Sequence, residues 1–193
     1  MSTELERSIK NSGFGGRATF SRRNRLFRLL WLIVWKLLAS WTPPQLRGWR
    51  RFLLRSFGAH IHSTAGVRGS VRIWYPPHLK MGPYSSLGPQ VDCYCQGQIT
   101  IGAYAVVSQG AYLCTGTHDI HHPDFQLYTR PINIGANAWI CADAFVGPGV
   151  NVGEGAVLGA RGVAFQDLEA WSVYQGNPAK LIKGRTRFER PMP

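Results

Sequence analysis

The sequence predicts a mainly β protein: a parallel β-helix built from six-residue repeats, preceded by amphipathic helices and interrupted by one long loop. Three observations carry this reading. Aliphatic residues recur every six positions from Ile61 onward, a small residue repeatedly follows the aliphatic, and the rhythm stops after Leu113 and resumes at Ile132.

The chain of 193 residues suffices for one sizeable core and an appendage. Its division is read as a basic N-terminal segment (1–57), a β-helix domain (58–185) carrying a loop at 114–131, and a C-terminal tail (186–193). The net charge of +12 is unevenly placed, since residues 1–60 hold 12 of the 22 Lys/Arg and 2 of the 10 Asp/Glu. The body is nearly neutral and offers no basic groove, which argues against nucleic acid as a partner.

Within the N-terminal segment, "RRNRLFRLLWLIVWKLLASW" (22–41) carries an apolar run broken by Arg28 and Lys36. Those charges argue against a membrane span of roughly 20 apolar residues. Arg25, Arg28, Lys36 and Ser40 cluster at helical spacing and leave a broad face of Leu, Ile, Val and Trp. Such a helix suits an anionic membrane surface, and the same apolar face equally suits packing on the body or on a neighbouring subunit. Pro43 and Pro44 end it, and "QLRGWRRFLLRSFG" (45–58) predicts a second short amphipathic helix. Peripheral contact with the inner face of the cytoplasmic membrane through residues 22–57 is therefore one expectation, in an otherwise cytoplasmic protein. With no cleavable secretory signal and no CxxC pair, Cys93, Cys95, Cys114 and Cys141 read as buried thiols in a reducing compartment rather than as a metal site.

From residue 61 the sixfold series runs Ile61, Val67, Ile73, Leu79; Met81, Leu87; Ile101, Val107, Leu113; and Ile134, Ile140, Val146, Val152, Leu158. Six is not a helical period, and each short strand has room for one inward aliphatic. The following small residue, as in Met81-Gly82, Ile101-Gly102 and Ile134-Gly135, is read as the place where the backbone turns a tight corner. Stacked coils that bury their neighbours' faces satisfy the pattern.

The register, the interruption and the closing "GNPAKLIKGR" (176–185) resemble the hexapeptide-repeat acyltransferases, whose fold is a left-handed parallel β-helix. "VSQGAYLCTGTHDI" (107–120), "AFVGPGVNVGEGAVLGAR" (144–161) and, more weakly, "GWRRFLLRSFGA" resemble the branch of colanic acid or exopolysaccharide biosynthesis acetyltransferases. The resemblance covers roughly residues 58–185. It implies an O-acetyltransferase that uses acetyl-CoA on a sugar hydroxyl, and a homotrimer with active sites in clefts between subunits.

Three of the six histidines, His118, His121 and His122, lie at the start of the interruption. His118 follows "CTGT" and matches the family's catalytic histidine; a neutral imidazole is suited to take the proton of an attacking hydroxyl near neutral pH. Asp119 is read as an orienting or turn residue. His121 and His122 read as loop or subunit-contact residues. The hexapeptide fold also hosts zinc carbonic anhydrases, but the bunched histidines, with His60, His62 and His78, do not reproduce that spacing, so no metal is expected.

The resemblance places the coenzyme arm past Trp139, Ala142, Ala160 and Gly162, with Lys180 and Arg185 as partners for its phosphates. Phe165-Gln166 stands where relatives often carry Thr-Lys or Thr-Arg. On the acceptor side, "GPQVDCYCQG" (88–97) departs from the hexad; Asp92 is a candidate to bond a sugar hydroxyl and Tyr94 to stack on a pyranose. The competing readings are a non-catalytic β-helix assembly subunit, an acetyltransferase for another small hydroxylated acceptor, and a serine acetyltransferase; the last lacks its long acidic helical domain here.

Overall fold

The computed structural model describes residues 20–190. The chain winds through about six turns of a left-handed β-helix, with three parallel sheets as the faces of a prism. The first face joins His60–Ile61, Leu79–Met81, Ile99–Ile101, Ile132–Ile134 and Asn151–Val152. The second joins Gly66–Val67, Ser86–Leu87, Val106–Val107, Trp139–Ile140, Val157–Leu158 and Ser172–Gln175. The third joins Arg72–Ile73, Asp92–Tyr94, Tyr112–Cys114, Phe145–Val146 and Val163–Ala164.

Parallel register stacks the predicted aliphatics on one another. Ile61, Met81, Ile101, Ile134 and Val152 climb the first face, and Val67, Leu87, Val107, Ile140 and Leu158 the second. All of these are buried. The sixfold phase slips in the sequence have a simple geometry: Leu79 and Met81 face inward from the same strand, as do Ile99 and Ile101, while Cys93 and Cys95 lie inward on either side of Tyr94. Two extra residues on one side leave the inside–outside alternation intact. Stacked partners are accordingly 20 positions apart in the lower coils (Ile61 and Met81) and 18 apart higher up (Ile134 and Val152).

The glycines play a different part from the one expected. None of Gly82, Gly88, Gly102 or Gly135 adopts a positive φ. A Cβ there would sit 2.6–3.0 Å from the backbone of the next coil, for example 2.6 Å from Ala136 N at Gly102. Close stacking therefore excludes a side chain. The left-handed corner falls two residues later and is mostly occupied by larger residues, including Tyr84, Gln90, Tyr104, Asn137, Asp143 and Arg161 at φ 54–59°. Their amides donate to the corner of the coil before, as Asn137 N to Ala103 O at 2.9 Å and Arg161 N to Ala142 O at 2.9 Å, which holds that conformation in place.

Each coil donates its N–H groups upward to carbonyls of the next, as Gly66 to Ser85 and Gly82 to Ile101. The carbonyls of the first coil consequently have no coil beneath them. Two helices supply the missing donors: α1 (Arg22–Leu38) and α2 (Arg47–Ser56). Arg55 Nε donates to Ile61 O at 2.7 Å, Arg51 Nη1 to Ala65 O at 3.1 Å and Arg50 Nε to Val67 O at 2.7 Å. Trp35 Nε1 donates to Val71 O at 3.0 Å and Trp31 Nε1 to Ile73 O at 2.8 Å. Arg50 is 1% exposed and also reaches Thr42 Oγ1, Pro43 O and Pro44 O. Both helices of the basic N-terminal segment thus cap the end of the solenoid.

This capping divides the apolar face of α1, turning its tryptophans to the coil and leaving most of its aliphatics exposed. Ser21 caps its first turn, and Asn24, Trp31 and Trp35 are buried with Arg28 half-buried beside them. Leu26, Leu30, Leu32, Ile33, Leu37 and Leu38 point outward instead. Hydrogen-bond demand at the open coil, rather than burial of aliphatic surface, selects the face. At the other end Ser172–Gln175 pairs antiparallel with Lys180–Gly184 and closes the second face.

Candidate active site

After Tyr112–Cys114 the chain leaves the third face. Thr115, wholly buried, fixes the departure: its Oγ1 donates to Tyr94 O at 3.0 Å and accepts from Gly97 N at 2.8 Å. Gly116–His118 then pairs antiparallel with Leu127–Thr129, so the expected loop is a hairpin with His118 opposite Leu127. Gly116 has no room for a side chain, because a Cβ would meet Gln96 Oε1.

His118 is exposed on this hairpin, and its ring is held on two sides. Nδ1 lies 2.8 Å from Phe125 O, and the imidazole stacks on the Phe125 ring at 4.4 Å and 11°. A carbonyl only accepts, so the neutral imidazole carries its proton on Nδ1 and leaves the Nε2 lone pair free. Asp119 does not touch the imidazole; its Oδ1 accepts from His121 N at 3.0 Å, an Asx turn at the hairpin tip. His122 faces Asp124 at 3.9 Å, and among the described residues no three His, Cys, Asp or Glu side chains converge. Phe125 had no sequence signal, since its role arises only when the hairpin closes.

Asp92 and Tyr94 sit on the strand beside Tyr112–Cys114, in register with Tyr112 and Cys114 respectively. Arg72 pairs with Asp92 at 2.6 Å. Burial raises the Asp92 carboxyl above its ordinary value, with the Arg72 charge opposing. Tyr94 accepts from Gln96 Nε2 at 3.0 Å and stands between the rings of Trp74 and Tyr112. Phe145 and Phe165 extend that row, giving an aromatic stripe along the third face. Its members are 18 to 33 residues apart and not all in register, so no fixed spacing in the sequence marks them. Asp92, Tyr94, Arg72 and Trp74 also line a cavity of about 460 Å³ beneath α1.

The coenzyme candidates lie along the second face and its edge with the third. Trp139 is partly exposed, with Nε1 donating to Ser108 Oγ at 2.8 Å. Ala142 and Ala160 occupy stacked corners, half-buried and exposed respectively. Gly162 is buried, and a Cβ there would meet Leu158 and Gly159, so it packs the corner from within. Lys180 is exposed on the terminal hairpin. Arg185 donates to Asn137 O at 3.0 Å and Gly155 O at 2.9 Å and lies over Trp171 and Phe188. These contacts give Arg185 a structural task at the end of the solenoid.

No family model matches the chain. It is 44% identical over 178 residues to WcaF of Escherichia coli K12, a protein assigned by name to colanic acid biosynthesis as an acetyltransferase; the match covers 92% of this chain and 98% of WcaF. Its fold is that of a maltose O-acetyltransferase from Clostridium difficile 630, with TM-score 0.81, 21% identity and coverage of 96% and 99%. It is equally that of a hexapeptide-repeat acetyltransferase of Vibrio cholerae O1 complexed with acetyl coenzyme A, with TM-score 0.79, 20% identity and coverage of 96% and 100%. The stacked hexads, the hairpin that interrupts them and 44% identity with WcaF over nearly its whole length establish that the chain belongs to the hexapeptide-repeat acetyltransferases, in the colanic acid biosynthesis branch.

Proposed function

We propose that the protein transfers an acetyl group from acetyl-CoA directly to a sugar hydroxyl of a surface-polysaccharide precursor, with His118 as general base. The observation that carries this is the hydrogen bond from His118 Nδ1 to Phe125 O, which presents Nε2 as an unprotonated acceptor. In the reaction, the sugar oxygen attacks the thioester carbonyl while Nε2 takes the hydroxyl proton. The carbon–sulfur bond then breaks, and the departing thiolate recovers the proton from the imidazolium, giving an O-acetyl ester and coenzyme A. No covalent acetyl-enzyme is required.

The small corner residues Ala142 and Ala160 and the partly exposed Trp139 support a coenzyme groove along the second-face edge, with Gly162 packing it from within. Lys180 is the freer of the two cations for the coenzyme phosphates, Arg185 being engaged with carbonyls. Asp92 and Tyr94 are assigned to the acceptor. His118 is exposed on one chain, which supports a homotrimer in which a neighbour closes the cleft over it. Residues 22–57 are read as the peripheral contact with the inner face of the cytoplasmic membrane, because the outward face of α1 is apolar and its flanks are basic.

Thiol release from acetyl-CoA, measured with nucleotide sugars, lipid-linked oligosaccharides and simple glycosides, tests the reading. Acceptor-dependent release should fall by about 100-fold or more in His118→Ala. Release unchanged by that substitution sinks the role of His118. Silence with every acceptor, together with no coenzyme A binding, would favour a non-catalytic assembly subunit.

A further inference from the structure

We propose that the cavity between α1 and the third face binds the lipid end of the acceptor, a hydrocarbon chain ending in a phosphate that carries the sugar. This rests on the acetyl-transfer reading and names the acceptor class.

The cavity of about 460 Å³ is walled by Leu29, Trp31, Leu32 and Trp74, and its charged residues are Arg25, Arg28, Arg72 and Asp92. Trp31 spends its only donor on Ile73 O, so it presents an apolar ring to the space. A bare sugar against such walls would leave hydroxyls unpaired, at a cost that a hydrocarbon chain does not incur.

The charge balance calls for an anion. Arg72 is paired with Asp92, whereas among the described residues neither Arg25 nor Arg28 meets a carboxylate. Arg28 is fixed in place: its guanidinium lies 4.1 Å over the Trp74 ring, and Nε donates to Asn24 Oδ1 at 3.0 Å. A held guanidinium with unused donors beside a second cation is suited to phosphate oxygens.

The mouth supplies the third argument. Leu29 and Leu32 line the cavity, yet they are 53% and 61% exposed and belong to the outward leucine face of α1. A chain leaving the cavity therefore emerges on the face read here as bilayer-bound. Asp92 and Tyr94 lie on the strand paired with Tyr112–Cys114, four residues before His118. A sugar joined to the phosphate is thus placed between the cations and the strand that leads to the base.

The test uses the full chain, with dodecyl phosphate and dodecyl maltoside titrated calorimetrically below their micelle concentrations into wild type, Arg25→Gln and Leu29→Glu. Both substitutions are at exposed positions, and coenzyme A binding reports that the fold is kept. Dodecyl phosphate should bind about tenfold or more tighter than the maltoside, each variant should weaken it by about fivefold or more, and it should compete in thiol release with a sugar carried on a short prenyl phosphate. Equal binding of the two amphiphiles overturns the proposal. So does dodecyl phosphate that binds without competing, the behaviour of a site for bilayer phospholipid. Transfer to a simple glycoside without any dodecyl phosphate binding removes the cavity's role alone; dodecyl phosphate binding with no transfer to any acceptor removes the acetyl-transfer reading instead.

Discussion

Arg50 shows how one side chain can hold two parts of the chain together. It is a buried cation with no carboxylate partner among the described residues, stabilised by Val67 O, Thr42 Oγ1, Pro43 O and Pro44 O. Burial lowers its pKa from the ordinary arginine value. Arg50→Met leaves several buried carbonyls unpaired and should cost about 3 kcal/mol in chemical denaturation, with earlier proteolysis between α1 and α2. Arg50→Lys should recover only part of this, because an ammonium cannot reproduce the guanidinium fork. Asp92 gives a pH signature. Its carboxyl binds a proton more readily folded than unfolded, so its contribution to stability is full below the ordinary value of 3.8 and falls as pH rises through the raised folded value. Denaturation midpoints against pH should show that fall in wild type, a wider window in Arg72→Gln, and none from this site in Asp92→Asn.

At the scale of an element, the solenoid tolerates bulk at its corners and refuses it at the coil contacts. Gly102→Ala places a Cβ 2.6 Å from Ala136 N and should destabilise the fold by about 2–3 kcal/mol. Gly184→Ala, with nothing within 4 Å, should stay within about 0.5 kcal/mol. Equal effects of the two substitutions in denaturant would show that inter-coil spacing is not the constraint. The hairpin that carries His118 depends on the same architecture. Two antiparallel segments and a buried threonine, rather than loop length alone, aim His118.

For the whole molecule, the N-terminal segment has two faces with different tasks. Trp31, Trp35, Arg50, Arg51 and Arg55 cap the first coil, and the leucines of α1 point outward. No helix among the described residues is long and apolar enough to cross a membrane. Removing the segment would uncover the coil it caps, so surface substitutions are the sharper probe. Leu30→Glu with Leu37→Glu should lower sedimentation with phosphatidylglycerol vesicles by about tenfold while leaving the thermal midpoint within a few degrees. Undiminished sedimentation would assign the leucine face to another subunit.

The sequence by itself determined the architecture. Inward residues repeating every six positions, with a small residue after each, are satisfied only by stacked coils, and that local signal survives a long interruption. The break in the rhythm marked where the chain leaves the scaffold, and the resemblance of "CTGT" and the residue after it to the family pattern drew attention to His118 there. Tertiary structure decided the rest. Phe125 meets His118 only across a closed hairpin, and Arg28 meets Trp74, and comes to line one cavity with Asp92, only once α1 has turned its tryptophans toward the open carbonyls. That turn could not be read from amphipathicity, which registers how apolar a face is and not which backbone groups lack a donor.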